Sequence, residues 1–166
     1  MKSSSLYFIS ILLVSQLFCA PAGAFQQVSP SVGRTYPVDD SASVVYNPNV
    51  NMRWESPVPR PGSPDIVSGD LVVNAILDVR PYLGRRGNIY MTLPVQSFGR
   101  VSTSWKSRKS ILSPGTLRDG ERTLVWSGLV SADRIEDTLV LSITTDGNQL
   151  WRTEQLHYSF EIEITQ

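Results

Sequence analysis

Nine lysines and arginines lie between Arg80 and Arg122, against only two acids, Asp119 and Glu121. Two short runs concentrate them: Arg85-Arg86 within Gly84-Arg85-Arg86-Gly87-Asn88, and Lys106-Ser107-Arg108-Lys109 directly after Trp105. Guanidinium and ammonium groups suit phosphate, sulfate or carboxylate, arginine through paired N–H donors and lysine as a point charge. If both runs reach the same end of a folded domain, they form one cationic surface. The rest of the chain has the opposite sign: residues 123–166 carry two arginines and seven acids, and residues 25–79 three arginines and six acids. The formal net charge of zero therefore hides a polarised chain. The competing expectation is that basic and acidic segments pair across neighbouring strands or stay solvated.

Four tryptophans add aromatic surface. Trp126 lies in a strongly apolar run and belongs to a core, whereas Trp105 and Trp151 are flanked by polar and charged residues. Core packing is the default for these two as well, but they are the candidates for an exposed contact or a sugar-stacking platform. The candidate binding set is thus Arg85, Arg86, Trp105, Lys106, Arg108, Lys109 and Trp151.

Catalytic and metal chemistry find little support. The one histidine, His157, sits between polar neighbours and reads as a solvent-facing strand residue rather than a general base. No serine is framed by a nucleophile-elbow glycine pattern. One histidine and one cysteine, Cys19, do not make a zinc ligand set, and Asp146-Gly147-Asn148 lacks the following acids of a calcium loop. Gly115 to Gly120 is not followed by the Lys-Ser or Lys-Thr of a phosphate loop. No catalytic residue, metal or cofactor is expected.

The start of the chain carries an address. Lys2, an apolar stretch from Leu6 to Phe18 and Ala22-Gly23-Ala24 read as a cleavable secretory signal over residues 1–24. As a helix that stretch would rise about 20 Å, short of a hydrocarbon core of about 30 Å, so a retained anchor is disfavoured. A lipid on Cys19 is disfavoured by the bulky Phe18 before it. The following 142 residues suffice for one domain, hold no cysteine and so form no disulfide, and contain no Asn-x-Ser/Thr site. This composition favours a bacterial periplasm or cell surface.

The elements that must position the basic runs are strands. Residues 25–65 hold seven prolines before or at Pro64 and read as an extended arm, with one strand where Val50, Met52 and Trp54 alternate with polar residues. From Asp70 onward the period is two. Leu71 to Val79, Ile89 to Val95, Val101 to Trp105, Leu124 to Val130, Leu139 to Ile143 and Tyr158 to Ile164 each present an apolar face. A helix is the second choice for the first of these, but its β-branched residues disfavour it. Gly84 to Asn88 reads as a hairpin tip, Ser131 to Asp137 as one helical turn, and Pro94 as the mark of an edge strand or bulge.

Seven to eight short strands predict an all-β fold, an antiparallel β-sandwich of immunoglobulin-like type over residues 66–166. An eight-stranded outer-membrane barrel is disfavoured by the short strands, the proline-rich arm and the final Gln166. The functional expectation is an exported, non-catalytic binding or structural module of a cell envelope or surface. It would engage a protein or an anionic surface component, not nucleic acid, through basic loops or an edge strand such as Tyr158 to Thr165. A pilus subunit is one version, though Phe25 to Asp40 lacks the alternating apolar residues of a donated strand. A hydrolase without a recognisable motif is the alternative.

Overall fold

Alternating apolar and polar residues become strands wherever a second strand covers the apolar side, and the computed structural model describes ten of them over residues 34–56, 65–96, 100–149 and 156–165. In chain order they are β1 (Arg34–Val38), β2 (Val44–Tyr46), β3 (Arg53–Trp54), β4 (Ile66–Asp78), β5 (Arg86–Thr92), β6 (Val101–Ser107), β7 (Gly115–Arg118), β8 (Arg122–Leu129), β9 (Arg134–Asp146) and β10 (Ser159–Thr165). All pairings are antiparallel. One sheet has the order β1-β10-β5-β8, the other β2-β4-β9-β6-β7 with β3 also on β4. Both sheets have edges and do not close, so the membrane barrel has no counterpart here.

The longest ladder joins β4 to β9 from Ile66 opposite Asp146 to Asp78 opposite Arg134. Its inward residues, Ala75, Leu77, Leu139, Leu141 and Ile143, meet Ile89, Met91, Phe160 and Ile162 of the other sheet in one core. Each Leu, Ile, Met or Phe among them contributes about 1.5–3 kcal/mol of burial free energy.

Several expectations are corrected. Residues 34–56 supply three short strands, not one, and a single compact unit spans Ser31–Gln166 across the compositional change near residue 65. Tyr36 and Val38 stand opposite Ile162 and Phe160, which extends the apolar row of β10. This places β10 between β1 and β5, so Tyr158 to Thr165 is not an edge. The edge is β1, where Pro37 needs no ladder partner for a missing N–H.

Pro94 falls beyond the end of β5, which is an interior strand, and Val95 is 77% exposed. The ladder does shift register, since Ile89 stands opposite Trp126 but Tyr90 opposite Leu124. Val125 is therefore the extra residue of β8 and turns into the core, while Leu124 turns out. This bulge overturns the simple alternation expected of Leu124, Trp126 and Val130, leaving Trp126 only partly buried. Ser131 to Asp137 forms no helical turn; β9 starts at Arg134 because the ladder to β4 claims it. Gly84 to Asn88 is not a hairpin tip but part of the crossing from β4 in one sheet to β5 in the other, through a 3₁₀ turn at Arg80–Tyr82. The leader, the Pro57 to Pro64 crossover and Trp151 lie outside the described residues.

Candidate binding surface

The second basic run leaves β6 and turns toward β7 around a buried carboxylate. Asp137 sits in β9 in the same parity as Ile135, Leu139 and Leu141, fully removed from solvent. Its oxygens accept the Ser107 hydroxyl at 2.5 Å and the backbone N–H groups of Lys109 at 3.1 Å, Ile111 at 3.0 Å and Leu112 at 2.8 Å. The Ser107 hydroxyl also receives the N–H of Ser110, whose φ of 58° is left-handed. Burial alone would push the Asp137 carboxyl up, but the donors from Leu112, Ser107, Lys109 and Ile111 outweigh it and hold its pKa below the ordinary carboxylate value.

Trp105 fixes the far side of the same loop. Its indole N–H donates to the Ser113 carbonyl at 2.9 Å, and its ring lies on Gly115, where a Cβ would meet ring carbons at 2.8 Å. Trp105 is 2% exposed. It is thus a core residue that shapes the loop from beneath, and its candidacy as an exposed contact is withdrawn. The reason is parity: Trp105 shares the inward face of β6 with Val101 and Thr103, whatever the charge of its chain neighbours.

The first basic run is held by backbone. Gly84, at φ 74°, donates to the Val130 carbonyl at 2.9 Å; Arg85 donates to Tyr82 at 3.1 Å and accepts from the Val130 N–H at 2.9 Å. Arg86 then opens β5 opposite Leu129 and Thr165. Tyr82 anchors the preceding turn by donating its hydroxyl to the Pro37 carbonyl at 3.0 Å.

Both runs border the β8–β9 connection. Val130 binds the Arg85 turn on one side, while Ile111 of the other loop lines a cleft of about 210 Å³ with Trp126, Leu129, Val130 and Ile135. Ile111 is 45% and Leu129 50% exposed, and Arg134 and Glu136 sit on the rim. Arg85, Arg86, Lys106, Arg108 and Lys109 are all exposed. Among the described residues the ion pairs are Arg80 with Asp78 and Arg122 with Glu163, and neither involves these five. Pairing between basic and acidic segments therefore occurs at Arg80 and Arg122, while the five candidate cations are exposed and make no ion pair among the described residues. Lys106 lies on the outer face of β6 opposite Val140, one step from the loop.

His157 is exposed and does not line the cleft. The residue that sequence reasoning missed is Asp137, and its signal was present: an acid standing in the apolar parity of a strand.

No protein-family model matches the chain, and no curated protein matches it.

Proposed function

We propose that this protein is an exported, non-catalytic binding module, built on an immunoglobulin-like sandwich, that engages an acidic protein or anionic surface component of a cell envelope through its two basic loops. The observation that carries this reading is that Arg85, Arg86, Arg108 and Lys109 are exposed on two separately built loops that meet the β8–β9 connection, one through Val130 and the other through Ile111 of the adjoining apolar cleft, with no ion pair to them among the described residues. Solvated cations left unpaired by their own protein attract an anionic partner, with an association that weakens as salt rises. Export rests on the leader-like residues 1–24, and a bacterial envelope on the composition that follows.

The test is binding to phosphatidylglycerol-containing vesicles and to an immobilised sulfated polysaccharide at low and high salt. Salt-sensitive retention that disappears when Arg85, Arg86, Arg108 and Lys109 are replaced together by Ser supports the reading. Retention unchanged by those replacements at low salt overturns it. Fractionation of the native host with intact mass tests export, which requires a chain cut after Ala24 outside the cytoplasm.

A further inference from the structure

The sheet edges are not equivalent. The β2 and β3 edge is broken by Pro48 and by Asn47 at φ 54°, β1 carries Pro37, and β7 is four residues long. β8 is an eight-residue edge strand. Val130, just beyond it, exchanges both of its backbone hydrogen bonds with Gly84 and Arg85. In an antiparallel ladder alternate residues turn both backbone groups to the same side, so Ser127 and Leu129 turn theirs away from β5. The outward Val125 carbonyl is already taken by the Ser113 N–H at 2.7 Å. Outside the strand ladders, no hydrogen bond to the backbone groups of Ser127 or Leu129 is found among the described residues.

This open stretch of backbone runs beside the apolar cleft of Ile111, Trp126, Leu129 and Ile135. A cleft of about 210 Å³ holds one or two apolar side chains, not a folded domain. Around it Arg85, Arg86, Arg108, Lys109 and Arg134 outnumber the exposed acids Asp133 and Glu136. We infer that β8 accepts an extended acidic peptide segment of a partner protein as an added strand, its alternate apolar side chains entering the cleft and its carboxylates meeting the basic loops. Main-chain pairing supplies affinity in this mode and the cleft and charges supply selectivity. A second copy of the chain does not fit, because edge-to-edge pairing about a two-fold axis would set the same cations against each other. This inference rests on the proposed binding function and narrows its partner to a peptide.

The experiment is fluorescence anisotropy of the purified protein with a labelled peptide, Glu-Val-Glu-Phe-Glu-Val-Glu, at low salt. Two controls accompany it: the same peptide N-methylated at alternate amides, and its lysine counterpart. The inference expects saturable binding of the acidic peptide and at least tenfold weaker binding of both controls. Ile111→Glu, on an exposed loop position, should weaken the acidic peptide at least tenfold as well. Equal binding of the N-methylated peptide overturns strand addition, and equal binding of the lysine peptide overturns the charge selection. Absence of peptide binding, in a protein that still binds vesicles or polysaccharide through the four basic residues, overturns this inference and leaves the basic-surface reading standing. Absence of all three overturns both.

Discussion

The 84–86 turn and the 107–112 loop present cations beside the same β8–β9 connection, yet they are built differently. The first is tied by backbone hydrogen bonds to Tyr82 and Val130 and by a left-handed Gly84. The second wraps a carboxylate delivered by β9 and rests on an indole delivered by β6. A turn of the first kind is held by backbone groups, from Tyr82 nearby and from Val130 across the fold, and by no side chain of its own basic run. A loop of the second kind exists only after the sheet has formed, so its geometry is coupled to the core. The comparison predicts that side-chain deletions will damage the second loop and backbone strain the first.

The largest effect is expected at Asp137. Asp137→Ala would leave the Ser107 hydroxyl and the backbone N–H groups of Lys109, Ile111, Leu112 and Thr138 without this acceptor, costing about 3–5 kcal/mol. Asp137→Asn keeps one acceptor oxygen and should lose about half of that. Urea titration checks both, and a loss below about 1 kcal/mol for the alanine variant would show that the carboxylate does not organise the loop. The pH dependence has a fixed sign. Because the folded pKa is lowered, this stabilisation is complete above the unfolded value of about 4 and is lost as pH falls through the folded value. Asp137→Asn should therefore flatten the acid limb of the stability curve.

Trp105→Phe should follow at about 2 kcal/mol, since it deletes the donor to Ser113 and leaves space over Gly115 in a packed core. The same calorimetric or urea measurement detects it. Binding through the Arg85 turn should persist in this variant while binding through Arg108 and Lys109 weakens, and equal weakening of the two would erase the distinction between the loops.

What the sequence revealed divides along the same line. Strand parity was legible for β4, β6, β9 and β10 because each has a mostly apolar face, and Leu77, Thr103, Leu141 and Ile162 are buried as the alternation requires. It failed in β8, where the Val125 bulge reverses the parity midway, and a one-residue insertion leaves no compositional mark. The short strands β1 and β2 were hidden by proline and by their length, since pairing with β10 and β4, not local pattern, makes them strands, whereas the strand expected at Val50 to Trp54 is present in part as β3. The basic runs were legible as charge but not as shape. Neighbouring charges suggested an exposed Trp105, while burial was decided by its parity with Val101 and Thr103. Asp137 was read as part of a helical turn because a lone acid is a weak signal until its ladder partners are known.

Gly84 tests the other loop. At φ 74° any residue with a Cβ meets the left-handed penalty, yet a Cβ there would contact nothing within 4 Å. Gly84→Ala should thus cost about 1 kcal/mol through backbone conformation alone, and Gly84→Asn less. An alanine cost as large as that at Asp137 would mean the first turn is coupled to packing after all.

The smallest expected change is the one that separates binding from folding. Arg85, Arg86, Arg108 and Lys109 are exposed, and what holds their loops is backbone N–H and C=O groups that a serine also carries. Neither described ion pair includes them. The fourfold serine variant should therefore stay within about 0.5 kcal/mol of the parent in a urea titration. Relief of repulsion among four nearby cations would shift it slightly toward greater stability at low salt, and salt would remove that shift. A loss above about 2 kcal/mol would instead show that these side chains brace the loops, and the loss of binding in that variant would then report folding rather than charge.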